Sequence, residues 1–270
     1  MTRIDGHLLD HGHLLDPGQS EATRRCEALP DLFDATTFRH LERLGVGPGW
    51  RCWEVAAGGT SVLTWLAKRV GPTGRVLATD VDTSWVGSAA RPPIEVLRHD
   101  VGAEEPPGEG FDLVHARLVL ADVAERDRAL RSMVRALRPG GRILVEETDT
   151  ALQPLTCPDE HGPAQRLANR LREGRSALLA EDGADLSYGR KLPRLLRAAG
   201  LTRVEADAHF PLGAGACSVL ETAGVSQARE RLVAAGRATD TDIDRHLENV
   251  ASGALDLAAT PMVSAWGRKP

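Results

Sequence analysis

Between residues 51 and 149 the chain alternates short apolar runs with stretches whose apolar positions recur every three or four residues. The runs "RCWEVA" (51–56), "GRVLATDV" (74–81), "IEVLRHDV" (94–101), "FDLVHAR" (111–117) and "RILVEETD" (142–149) predict strands, being short and rich in Val, Leu and Ile. "TSVLTWLAKRVG" (60–71) and "AERDRALRSMVRALRPGG" (124–141) carry the helical period, the second closing on Pro139-Gly140-Gly141. A shorter helix is expected over 83–90, with Asp82 as its natural cap. Strands joined by crossover helices make a parallel sheet covered on both faces.

The flanks extend this plan. Residues 21–44 read as a helix, with Leu29, Leu32, Phe33 and Leu41 at mixed three- and four-residue spacings, and Gly45 ends it. Beyond Asp149 the pattern turns mostly helical: an Arg-rich amphipathic stretch over 164–183, another helix over 188–200, and two helical segments within 215–253. Residues 201–210 and 260–270 read as the sixth and seventh strands. The chain thus divides into an N-terminal arm and helices (1–45), a core (46–149), an insertion (150–186), a core helix and strand (187–210), a second insertion (211–259) and a last core strand (260–270). The expected fold is α/β: a doubly wound, mostly parallel, seven-stranded Rossmann-like sheet with helical cap insertions. Those insertions either cap a pocket at the carboxyl side of the sheet or complete its helical layers.

Composition narrows the function. A net charge of −5 argues against a nucleic-acid partner held by phosphate neutralisation. Cys26, Cys52, Cys157 and Cys217 lie far apart with no Cys-x-x-Cys spacing, so neither a zinc site nor a disulfide framework is expected, and a reducing cytoplasm fits. No basic-then-apolar leader and no apolar run of about 18 residues is present, so no membrane partner is expected. The echo "GHLLD" at 6–10 and 12–16 brings His7, His11 and His13 close together, which reads as solvent-facing imidazoles on an arm rather than a metal site.

The chemistry concentrates in "EVAAGGTS", Glu54 to Ser61, where the first strand turns into a helix. A dinucleotide fingerprint needs glycine at 56, 58 and 61, and the chain has Ala56, Gly58 and Ser61. A pyrophosphate needs bare backbone at close range, so NAD and FAD are disfavoured.

In order along the chain stand "EVAAGGTS", "VLATDVD", "LRHDV", "FDLVHARLVLADV" and "ALRPGGRILVEE". With these landmarks, covering about 48–149, the chain resembles the class I S-adenosylmethionine-dependent methyltransferases, of the broad methyltransferase-domain group typical of actinobacteria. The resemblance implies S-adenosylmethionine as cofactor. It implies that Glu54 positions the cofactor's amino group, that Ala56 and Gly58 form the close-approach loop, and that Thr60 or Ser61 caps the next helix. Asp80 would accept the ribose hydroxyls with Val81 on the adenine face, unless it caps the following turn. Asp100 and the Val101 amide would read the adenine edge, unless "HD" is a solvated turn. Ala116 and Arg117 would border cofactor and acceptor. Arg117 pairs either with an anionic substrate group or internally with Asp122 or Glu146, and Asp149 is a second substrate-binding candidate.

No catalytic group is forced, because methyl transfer from a sulfonium needs alignment and, for O- or N-acceptors, loss of a proton. His115, Glu147 and Tyr188 are the candidate bases, with Glu146, Asp149 and His161 behind them. The expected activity is methylation of a small molecule in secondary metabolism, with no nucleic-acid or membrane partner and a homodimer left open. The alternative is a methyltransferase-fold enzyme that uses bound cofactor for cyclisation, hydroxylation or decarboxylation.

Overall fold

The computed structural model describes residues 20–213 and 215–270, so the paired "GHLLD" segments and His7, His11 and His13 lie outside the described residues. Seven strands form one sheet in the order β3-β2-β1-β4-β5-β7-β6. They are β1 (Arg51–Val55), β2 (Arg75–Asp80), β3 (Ile94–Arg98), β4 (Phe111–Arg117), β5 (Leu137–Thr148), β6 (Thr202–His209) and β7 (Met262–Arg268). The first five run parallel, while β7 pairs antiparallel with both β5 and β6. Each central strand is an apolar run because helices cover both of its faces.

On one face α3 (Arg126–Ala136) and α5 (Leu192–Ala198) pack over Trp53, Val55, Phe111, Val114 and Val145. On the other, α2 (Ser61–Val70) and the last turns of α1 (Ser20–Arg43) pack over Cys52, Val76, Leu113 and Leu144. Above the carboxyl ends of the strands sit α4 (Pro163–Glu181), α6 (Gly215–Ala234) and α7 (Asp240–Ala251), with a hydrophobic cluster of their own. The front half of α1 joins this group: Leu32 and Phe33 pack with Cys157, Ala168, Cys217 and Val250.

Two elements differ from their expected form. Residues 83–90 fold as two 3₁₀ turns, Thr83–Trp85 and Gly87–Ala89, because Thr83, Ser84, Gly87 and Ser88 favour local turns over a continuous helix and Pro92 and Pro93 end the segment. Asp82 still caps the first turn, accepting the Ser84 N–H at 3.0 Å. The helix expected to run to residue 141 stops at Ala136. Residues 137–141 enter the sheet, with Leu137 opposite Phe111, since Pro139 supplies no amide to a helix.

Candidate active site

Strand order reverses between β1 and β4, and in open parallel sheets the ligand crevice lies at the carboxyl ends beside such a reversal. A cleft of ≈ 380 Å³ opens there, floored by Glu54 and walled by residues 56–62, Trp85, Arg117 and Leu118, with Leu29 and Pro30 of α1 above. That volume is within the ordinary range for a small-ligand site. The backbone laces the neighbouring strand ends together: Ala57 N–H donates to Thr79 O at 2.9 Å and His99 N–H to Asp80 O at 2.9 Å.

The sequence-predicted residues divide accordingly. Glu54, Ala56, Gly58 and Arg117 line the cleft. Asp80, Val81, Asp100 and Val101 sit at the adjoining ends of β2 and β3, outside that lining. Asp80 is buried and its Oδ1 accepts the Asp82 N–H at 2.9 Å. Asp100 Oδ1 accepts the Gly102 and Ala103 amides at 2.8 and 3.2 Å, so this carboxylate does hold a turn. Ala116 is fully buried inside the sheet, and it is Arg117 and Leu118 that reach the cleft in its place. Arg117 pairs with Asp34 at 2.8 Å and Thr37 at 3.1 Å, both on α1, rather than with Asp122 or Glu146. Thr60 occupies the N-cap position of α2 but its hydroxyl makes no capping bond.

Ala56 has φ of +50°, in the left-handed region that side chains avoid. A Cβ there costs roughly 1 kcal/mol, which glycine would relieve at the expense of a more flexible unfolded chain. Ala56→Gly is therefore expected to leave stability within about 1 kcal/mol and cofactor affinity no weaker. Ala56→Val, β-branched at positive φ, should lose about 2 kcal/mol or more. Chemical denaturation with cofactor titration checks both, and equal stability for the glycine and valine variants would refute the strain.

His115 is not free to act as a base. It is fully buried, with Nδ1 against Glu54 Oε2 at 2.6 Å and Nε2 against Glu146 Oε2 at 3.2 Å. Burial alone would lower its pKa, but the Glu54 and Glu146 carboxylates outweigh that and raise it to about 9, so both nitrogens carry protons at neutral pH. Glu146 is held in turn by Thr37 Oγ1 at 2.6 Å and Ser264 Oγ at 2.7 Å. Desolvation opposes its charge, yet the bonds from His115 and His40 keep it far below the usual carboxylate range. An imidazolium thus fixes one oxygen of Glu54 beneath the cleft.

The other candidate bases lie away from the cavities. Glu147 accepts the Val119 and Leu120 amides and so shapes the loop after β4, where Leu118 has φ of +60°. Burial, only partly opposed by those amides, raises its carboxyl to about 7. A folded pKa above the unfolded value means stability fully present below pH 4.5 and lost as pH rises through 7. Glu147→Gln should therefore remove a loss of roughly 3 kcal/mol between those limits. Unchanged steepness in the pH dependence of Tm would exclude this. Tyr188 is buried in the core, its ring under Arg126, with burial driving the phenol pKa upward. Asp149, expected at the substrate, is instead buried against Arg190, which donates from its backbone and guanidinium at 2.6–2.8 Å. His161 is exposed beside Asp159. Among the described residues no group of three or more His, Cys, Asp or Glu is arranged to hold a metal ion, and no helix is long and apolar enough to cross a membrane.

Under the helical cap lies a second, smaller cavity of ≈ 140 Å³, whose lining shares Leu29 and Leu118 with that of the cleft. Phe33, Leu179, Leu186 and Leu220 supply its apolar walls, and Arg172, Arg175, Glu221 and Thr260 its polar end. Sequence reasoning passed over these four residues. The signal was present in α4, where Arg172 and Arg175 fall on a face shared with apolar positions, a placement a solvated arginine has no reason to take.

This sheet order, with carboxylates at the ends of β1 and β2 beside a cleft whose loop lacks the dinucleotide glycines, is that of a Rossmann-like fold suited to a nucleoside cofactor. Residues 53–145 match the family model described as "Methyltransferase domain". The ubiquinone/menaquinone biosynthesis C-methyltransferase UbiE of Bordetella parapertussis is 30% identical over 217 residues, 73% of this chain and 81% of that protein. Two solved structures share the fold. A phosphoethanolamine N-methyltransferase 2 of Haemonchus contortus in complex with S-adenosyl-L-methionine has a TM-score of 0.56 at 14% identity, over 98% of this chain and 60% of that one. The [4+2]-cyclase SpnF has a TM-score of 0.52 at 18% identity, over 88% of this chain and 80% of that one. The chain belongs to the class I S-adenosylmethionine-dependent methyltransferases, and S-adenosylmethionine is its cofactor.

Proposed function

We propose that this enzyme methylates a small molecule seated under the helical cap. The observation that supports this best is a pair of neighbouring cavities with Leu29 and Leu118 in both linings, one over the cofactor loop and one beneath α1, α4 and α6. S-adenosylmethionine, when bound, supplies a methyl group on a sulfonium that needs no further activation. The residues present fit it: Glu54 offers an oriented carboxylate to the amino group, bare backbone at Gly58 and Gly59 admits the cofactor closely, and Asp80 takes the ribose. Asp100 and Val101 read the adenine edge from the end of β3. Arg117, on the wall of the cleft, is tied to Asp34 of α1 rather than free for a substrate charge.

Methyl transfer here is chiefly alignment of donor and acceptor in a closed, largely apolar space. The apolar walls of the cap cavity also favour a second, narrower reading: C-methylation of an aromatic ring, in keeping with the name of the UbiE relatives. A role in secondary metabolism and a cytoplasmic site belong to the same proposal, the first supported by the cap and the second by the unpaired, buried Cys52, Cys157 and Cys217. Incubation with methyl-labelled cofactor and a panel of naphthols and hydroquinones tests it. Label in the product supports transfer, and its position on carbon or oxygen decides the narrower reading. An unlabelled product would instead favour cofactor-assisted chemistry without transfer.

A further inference from the structure

The polar end of the cap cavity holds more positive than negative charge. Arg172 and Arg175 stand three residues apart on α4, on one face, and both line the cavity. Four other ionic groups stand in or behind its wall. Asp185 is answered by Lys191. Glu221 is shared, with Arg175 Nη1 at 3.1 Å and His246 Nε2 at 3.0 Å. Arg172, 7% exposed, donates to the neutral Thr260 Oγ1 at 2.6 Å, and among the described residues no carboxylate lies within ion-pair distance of it. Two permanent cations thus share one carboxylate in a desolvated place. Burying such a surplus is costly unless an anion completes it.

The surrounding fold makes room for the arrangement. Arg175 crosses α6 at Gly224, where a Cβ would collide with the guanidinium. A planar fork of donors beside apolar walls is suited to a carboxylate, which it engages through two parallel bonds.

We propose that the acceptor is an apolar molecule bearing one carboxylate, and that Arg172 and Arg175 bind that carboxylate at the polar end of the cavity. The proposal rests on the cap cavity being the acceptor site. It names the residues that select the acceptor and the end of the molecule they hold, leaving the opposite end directed at the cofactor cleft.

The test compares two probes with one hydroxynaphthalene skeleton, 6-hydroxy-2-naphthoate, whose carboxylate and hydroxyl lie at opposite ends, and 2-naphthol, titrated calorimetrically into full-length protein saturated with S-adenosylhomocysteine. The carboxylate should bind at least tenfold tighter than the naphthol. Arg172→Gln should abolish that preference with naphthol affinity within twofold of wild type, and Arg172→Lys should retain part of it. Glu221→Gln, which leaves the cations without their counter-charge, should strengthen carboxylate binding several-fold, a gain that a merely structural role would not produce. Equal binding of both probes, no carboxylate binding, or a preference that survives Arg172→Gln and Arg175→Gln would overturn the proposal. S-adenosylhomocysteine affinity is measured in parallel on every protein. If it is intact while the preference is absent, the acceptor assignment alone has failed. If wild type does not bind it, the reading of the cleft has failed as well.

Discussion

His115→Ala should cost the folded enzyme about 3–5 kcal/mol, a large share of the stability of a domain. Glu54 and Glu146 both face the imidazole, at 2.6 and 3.2 Å, inside the sheet. Without it, Glu54 is left buried with no cation at its Oε2, and Glu146 keeps His40 at 3.5 Å with the hydroxyls of Thr37 and Ser264. Urea unfolding measures the loss. The double variant His115→Ala/Glu146→Gln, which removes one of the two carboxylate charges the imidazole faced, should recover part of it. The pH dependence has a definite sign. Because the folded pKa is raised from 6.5 to about 9, the contribution is fully present below pH 6.5 and disappears as pH rises through 9. It amounts to roughly 3 kcal/mol at its fullest, and the alanine variant should lack that alkaline decline. A variant within about 1 kcal/mol of wild type would show that the cluster contributes little.

Gly58→Val should weaken S-adenosylhomocysteine binding at least a hundredfold, about 3 kcal/mol, with little change in Tm. Gly58 is exposed in the loop that walls the cleft, so an added isopropyl group meets the cofactor and not the core. Asp80→Asn should give a loss of similar order, since an amide oxygen cannot replace the two charged acceptors a ribose diol uses. Binding retained by both variants would move the cofactor away from the ends of β1 and β2.

The central strands were legible because burial on both faces left them as apolar runs, while the edge strands β3 and β6 are largely exposed. The cofactor loop was legible because its glycines and its acidic neighbour follow directly on the first run. What the sequence concealed was partnership. Glu54, His115 and Glu146 each look like a lone polar residue ending an apolar strand, and each reads separately as a cofactor contact or a base. Only the register, with Glu54 opposite His115 and Glu146 two residues beyond His115's neighbour Leu144, makes them one buried cluster. Arg117 is a similar case: its partner Asp34 lies 83 residues earlier, on a helix whose pattern records only that one face is apolar. The arginines of α4 were hidden by composition, in a chain where nearly all the basic residues are arginine.

The packing of the molecule is divided, with α1 as the tie: Leu32 and Phe33 pack into the cap and Leu41 onto the sheet. Leu167, Leu171, Val225 and Leu232 bind the cap helices to one another, while Trp53, Val55, Phe111 and Val145 bind the sheet to its own layers. Such separation makes the catalytic floor and the selective roof heritable apart. Substitutions that reshape the roof for a new acceptor need not disturb the floor, and a lineage can diversify its chemistry's targets while the donor machinery stands still.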